Sequence, residues 1–178
     1  MDRIETDRLL LRPYTVDDAE AAYATLVHDD VWPWLGANPV PCPDLDAARR
    51  TCTRWGSNED PVLGVWAVEP RGIALPEDVP RPVGSVLLLT LPRSDGAEST
   101  TVEIGWHLHP AAWGHGIAVE GARALVERAR AAGLTQLHAV VREGNARSLA
   151  LCDRLGMTRR GPTDEWYGTT FIDHVLPL

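Results

Sequence analysis

Trp113-Gly114-His115-Gly116-Ile117-Ala118 is the stretch that decides the fold. It follows a strand-like run over 101–108 and opens a run with helical spacing that continues to residue 132. A glycine-rich turn between a strand and a helix leaves backbone N–H groups unpaired and aimed one way. The helix adds roughly half a positive charge at its N-terminus. Such a corner binds phosphate or pyrophosphate. The sequence therefore points first to a phosphate-bearing small ligand held by main chain.

Outward from that turn, the chain alternates between two periods. Residues 8–14 read as a first strand stopped near Pro13, and Thr15-Val16-Asp17-Asp18 as an N-cap with acids in the first turn. Ala19, Ala22, Tyr23, Leu26 and Val27 then recur at helical spacing. Residues 28–43 carry prolines and two tryptophans, Trp32 and Trp34, and predict a loop or broken helix. Asp44 opens a second helix with Leu45, Ala48, Cys52 and Trp55 on one stripe.

Strands are predicted over 63–69, 83–91 and 101–108, with a proline-rich connection at 70–82 and a polar turn at 92–99. After the glycine turn, Gly133 marks a helix end. A strand over 134–142, a short helix opened by Asn145 and closed by Gly156, and strands over 157–160 and 169–176 complete the chain. The expected class is α+β (α/β): a mixed sheet, antiparallel through its middle, with helices on its faces, in a single domain spanning 1–178.

At 178 residues the chain can bury a core without metal or disulfide help. A net charge of −8 disfavours nucleic-acid partners, and the densest basic cluster, 123–130, is broken by Glu127. The acidic balance suits a cationic substrate such as an amine. Cys42, Cys52 and Cys152 are scattered and form no CxxC pair, as expected of reduced thiols in the cytoplasm. No apolar run reaches membrane-span length, and the first residues lack the pattern of a signal peptide.

The strand–glycine turn–helix, followed by a strand and an Asn-opened helix ending in Leu-Gly, resembles the GNAT superfamily of N-acetyltransferases. The superfamily signature is Gln/Arg-x-x-Gly-x-Gly/Ala; Gly116 and Ala118 match its small positions, and Trp113 replaces Gln or Arg. One branch, similar to the RimJ/RimL enzymes that acetylate protein N-termini, has Trp-Gly-x-Gly there. That branch also shows counterparts of Thr6-Asp7-Arg8-Leu9-Leu10-Leu11-Arg12, Glu103-Ile104-Gly105-Trp106, Asn145 with Ser148, Leu155-Gly156-Met157 and Asp173-His174-Val175. Residues 71–82 have no counterpart and read as an insertion.

The resemblance implies an acyl-CoA N-acyltransferase fold with splayed central strands, acetyl-CoA as co-substrate and an amine acceptor, and it leaves a homodimer open, dimers being common among relatives. No metal is expected, because no Cys or carboxylate completes a set with His107, His109 and His115. It implies that amides of Gly114, His115, Gly116, Ile117, Ala118 and Val119 hold the pyrophosphate. Alternatively, Gly114 and Gly116 only shape a tight turn. A β-bulge near Trp106, His107 and Leu108 is expected to part the strands, free one N–H for the thioester carbonyl and expose backbone to pantetheine.

Acetyl transfer also needs a base, because an alkyl amine is mostly protonated near neutral pH. Glu103 is the first candidate, with a structural carboxylate as the other reading; His107 and His109 are the alternatives. Seven residues past Asn145, where many relatives have a Tyr that protonates the leaving thiolate, this chain has Cys152. Ser148 is the substitute by resemblance, or else an ordinary first-turn serine. Asn145 is expected to orient pantetheine, to cap its helix, or both. Trp32, Trp34, Trp166 and Tyr167 are candidates to line the acceptor pocket, with core filling as their alternative.

The resulting expectation is an acetyl-CoA-dependent transferase in which the amine attacks the thioester directly. A catalytically silent acyl-CoA sensor is the rival. A Rossmann-type site is disfavoured because the glycine turn falls late in the chain. The acceptor stays open between protein N-termini, polyamines, aminoglycosides and small amino compounds.

Overall fold

The computed structural model describes residues 2–178. Its strands are β1 (Ile4–Glu5), β2 (Leu9–Pro13), β3 (Gly64–Pro70), β4 (Gly84–Thr90), β5 (Val102–Leu108), β6 (Gln136–Val141), β7 (Thr158–Thr163) and β8 (Phe171–Pro177). They form one sheet in the order β1-β2-β3-β4-β5-β6-β8-β7. Every pairing is antiparallel except that of β5 with β6. The helices are α1 (Ala19–Leu26), α2 (Leu45–Gly56), α3 (Ile117–Ala131) and α4 (Ala146–Leu155).

Strand periodicity sorts the core into two layers. On β3, Trp66 and Val68 face a cluster that includes Ile117, Ala122, Leu125 and Ala129 of α3 and Leu151 and Cys152 of α4. Their neighbours Val65 and Ala67 face a second cluster with Ala19 and Ala22 of α1 and Ala48 and Cys52 of α2. The sheet thus carries α3 and α4 on one face and α1 and α2 on the other. Gly121 lets α3 lie close on the sheet: a Cβ there would stand 3.0 Å from Cγ1 of Val86.

The helix ends follow local chemistry. Asp44 Oδ1 accepts from the N–H of Ala47 at 2.7 Å, and Asn145 Oδ1 from that of Ser148 at 3.2 Å. Thr15 N donates to Asp18 Oδ2 at 2.7 Å in the turn before α1. After α3, Leu134 N reaches back to Ala129 O at 3.1 Å around left-handed Gly133.

The expected β-bulge is absent. β4 and β5 keep one register from Gly84↔Leu108 to Thr90↔Val102. The sheet opens on the other side of β5. β6 pairs with β5 only at Glu103↔His138, while it follows β8 from Gln136↔Pro177 to Val141↔Ile172. Each central strand stays tied to its own antiparallel partner, and the two halves of the sheet part beyond that single pair.

The stretch 71–82 is irregular but anchored: Val79 is buried, and Ile73 and Leu75 pack against the α3 core. β1 escaped the sequence reading because two residues show no period. The last hairpin also differs, with β7 running to Thr163 and β8 starting at Phe171. No helix among the described residues is long and apolar enough to cross a membrane.

Candidate active site

A cavity of about 730 Å³ fills the gap between the diverging halves of the sheet. That volume suits a cofactor-sized ligand. Its walls are the 104–108 end of β5, the 139–141 end of β6 with Arg142 after it, the start of α3, Asn145 and the α4 face that follows it, and Trp34 and Leu35 of the 28–43 loop.

At one mouth lies the glycine turn. Gly114 and Gly116 hold left-handed φ of 82° and 78°. Glu120 N is bonded to Gly116 O at 3.1 Å, so the N–H groups of Ile117, Ala118 and Val119 precede the first complete turn and have no intrahelical acceptor. Trp113, Gly114, Gly116, Ile117, Ala118 and Val119 all line the cavity, whereas His115 is exposed and outside it. The side chain of Ile117 itself is in the core.

The turn is braced from the far end of the sequence. Arg8 Nε donates to Glu120 Oε2 at 2.8 Å, Arg8 Nη1 to His115 O at 3.2 Å, and Thr6 Oγ1 to Glu120 Oε1 at 2.6 Å. These contacts give the Thr-Asp-Arg motif a physical role: it fixes the first turn of α3 beside the cradle. Sequence reading noted the motif and missed its partner, which is 112 residues away.

Along β5, His109 N donates to Val83 O at 2.8 Å. Antiparallel alternation then turns the amides of Glu103, Gly105 and His107 toward β4, and those of Ile104, Trp106 and Leu108 toward the cleft. Trp106 N–H thus lies beyond the single β5–β6 pair and faces the gap without any bulge. Leu108 O is occupied by the indole Nε1 of Trp113 at 2.9 Å. Trp113 in turn lies under the Arg147 guanidinium, 4.2 Å from its ring centroid. It ties β5 to α4 where the signature has Gln or Arg.

Glu103 sits on the α1/α2 face of β5, 9% exposed, and accepts a hydrogen bond from the Tyr167 hydroxyl. Burial pushes its carboxyl up to about 7, partly countered by the Tyr167 bond. Tyr167 has a left-handed φ of 59°, uncommon for a bulky residue. Its backbone N–H donates to Pro92 O at 3.0 Å, which fixes that conformation. Burial and the Glu103 carboxylate raise the phenol's pKa. Tyr167 and Trp32 do not line the cavity; Trp32 Nε1 donates to Asp29 Oδ1 at 3.2 Å. Trp166 is buried.

His107 lines the cavity, and burial depresses its pKa to about 4, leaving a neutral and weakly basic ring at neutral pH. His109 is also depressed, by burial and by His28, whose ring meets it edge-on at 5.3 Å. Its Nδ1 accepts from Ala111 N at 3.3 Å. No group of three or more His, Cys, Asp or Glu side chains among the described residues could hold a metal.

On α4, Ser148 lines the cavity and its Oγ accepts from Trp106 Nε1 at 3.3 Å. Cys152 is fully buried and its thiol is pushed up to about 12 by burial, so it has neither the reach nor the acidity to protonate a thiolate. The sequence reading also missed Arg142, Arg147 and Arg154, which bring positive charge to the lining of an otherwise acidic protein. Their spacing carries no motif of its own.

A mixed sheet parted between two central parallel strands, with a helix N-terminus at the gap, is the acyl-CoA N-acyltransferase architecture. The chain belongs to the GNAT acetyltransferase family: residues 8–158 match the acetyltransferase (GNAT) domain. It is therefore an acetyltransferase, of a family that uses acetyl-CoA. Among curated proteins it is 28% identical over 180 residues to the uncharacterized N-acetyltransferase YoaA of Bacillus subtilis, covering 98% of this chain and 95% of that one.

Solved structures share the fold. A GNAT acetyltransferase from Bacillus anthracis superposes with a TM-score of 0.75 at 20% identity, over 99% of this chain and 98% of that one. A Vibrio cholerae protein assigned as a ribosomal-protein-serine acetyltransferase gives 0.75 at 20%, over 99% and 98%. The microcin C7 self-immunity acetyltransferase MccE, solved with acetyl-CoA and AMP, gives 0.73 at 14%, over 97% and 94%.

Proposed function

We propose that the chain is one cytoplasmic N-acetyltransferase domain of the RimJ/RimL-like branch. It moves acetyl from acetyl-CoA directly to a primary amine on a protein N-terminus or a small molecule. The observation that carries this reading is the cleft between β5 and β6, which begins at free helix-end amides and runs past Trp106 N–H to Ser148.

In this reading the amides of Gly114, Gly116, Ile117, Ala118 and Val119 at the start of α3 hold the diphosphate. Asn145 and the free edge of β5 position pantetheine. Trp106 N–H polarises the carbonyl and stabilises the oxyanion. The amine nitrogen attacks the carbonyl carbon, the C–S bond breaks, and the sulfur leaves as thiolate. Glu103 takes the amine proton, through water because it lies behind the cleft wall; a pKa of about 7 suits a base working near neutrality. Ser148 Oγ–H donates a hydrogen bond to the departing thiolate and stabilises its charge without giving up the proton. Trp34 stands on the acceptor side of the cleft.

Ser148→Ala is expected to lower kcat by less than about tenfold, since a thiol of pKa near 8.5 leaves tolerably as thiolate. Steady-state thiol release measures this. A second reading, a silent acyl-CoA sensor, draws on Cys152 standing where the usual acid would be. Thiol release from acetyl-CoA with amines and N-terminal peptides decides: turnover supports the enzyme, and saturable acetyl-CoA binding without turnover of any acceptor supports the sensor.

A further inference from the structure

Arg142 follows β6 and lines the cleft beside Trp34 and Leu35. Its guanidinium lies 5.2 Å over the Phe171 ring. Nη2 donates to Gly36 O at 2.7 Å and Ala37 O at 2.6 Å, tying the Trp34 loop to the sheet. All of these partners are neutral. Nε is buried with no acceptor, and Arg142 forms no ion pair with a carboxylate among the described residues.

Asp30 lines the same cavity, but its side chain is 63% exposed and forms no ion pair with Arg142. In a chain with 25 acidic and 17 basic residues, a half-buried arginine without an acid is against the composition. A loop staple accounts for Nη2 and the ring. It leaves the charge without a counter-ion and Nη1 without a protein acceptor at a half-buried position facing the cleft.

We propose that Arg142 binds an oxyanion on the acceptor, a carboxylate or phosphate borne by the same small molecule as the amine. This rests on the acetyl-transfer reading above and narrows its substrate class. The carbonyls and the ring hold the guanidinium in place before the acceptor arrives, so little rotamer freedom is lost on binding. With Nη2 committed to two carbonyls and Nε enclosed, Nη1 is the nitrogen left without a protein acceptor, and its N–H groups serve carboxylate and phosphate alike. A polyamine would instead bring a second cation toward a guanidinium that has no counter-charge.

The test is kcat/KM by thiol release over matched acceptor pairs: amino acids against their amides, amino-sugar phosphates against the parent amino sugars, with diamines alongside. The anionic member of at least one series is expected to exceed its neutral match by about tenfold or more, and the favoured series tells carboxylate from phosphate. Arg142→Gln should collapse that ratio toward one, and Arg142→Lys should restore part of it. Because the ratio is taken within one preparation, a partly unfolded variant does not mimic the effect.

Equal or better use of neutral amines and diamines would overturn the inference. So would an Arg142→Gln variant that slows both members of each pair equally, or no turnover of any anionic acceptor. Calorimetric binding of acetyl-CoA to the parent protein tests the acyl-donor reading separately, so the two failures are distinguishable.

Discussion

Glu103→Gln is expected to lower kcat by about 10²- to 10⁴-fold, the usual contribution of a positioned general base. Acetyl-CoA affinity should stay the same, since Glu103 lies outside the cavity lining. The parent's rate should rise with pH through about 7 as the carboxyl ionises, and the variant should lack that step. A pH–rate profile with the same step in both proteins removes Glu103 from the base role.

The same substitution has a stability signature of known sign. An unfolded glutamate titrates near 4.3, whereas the folded Glu103 is raised to about 7. Between those values the native state holds the extra proton, so stability falls as pH rises through that window. The loss is about 3 kcal/mol in all, from a shift of this size in a nearly buried group. Glutamine carries no such loss. Urea melts should show the variant gaining about that much on its parent between about pH 4 and pH 8, and a pH-independent difference would contradict the shift. The base would then be held at a cost to the fold, as strained sites often are; left-handed Tyr167, which bonds it, fits that pattern.

Gly116→Val is expected to raise the acetyl-CoA Kd by about a hundredfold or more. Valine at a φ of 78° is a backbone outlier that costs about 1–3 kcal/mol. The new Cβ would also stand 3.3 Å from Arg8 Nη2. Glu120 holds that guanidinium at 2.6 Å, and the half-exposed arginine need give by only a few tenths of an ångström. The backbone strain is what the turn must relieve, and the amides of Ile117 to Val119 then lose their common aim. Each hydrogen bond lost to a charged group is worth about 1.5–3 kcal/mol, so two suffice for the effect. Calorimetric titration reads it directly. A Kd within threefold of the parent's would mean that the turn does not grip the ligand.

What the sequence made legible was local. The glycine turn, the Asn145 cap, the Gly133 stop and the alternation of β3 and β5 each need only a few neighbouring residues. What it hid was long-range. Thr6 and Arg8 reach Glu120, Tyr167 reaches Glu103, and Arg142 reaches Gly36, none at a spacing that leaves a pattern. The splay was expected with the wrong cause, because it depends on which neighbour each strand keeps. β5 stays with β4 and β6 with β8, a choice written in the whole sheet rather than in residues 106–108.

The central claim, a diphosphate held by main-chain amides where β5 hands over to α3, has a direct test. Acetyl-CoA titrated into ¹⁵N-labelled protein should move the amide resonances of Gly114, Gly116, Ile117, Ala118 and Val119 most, saturably and with one ligand per chain. Resonances there that stay still while acetyl-CoA binds elsewhere, or does not bind, would contradict the account.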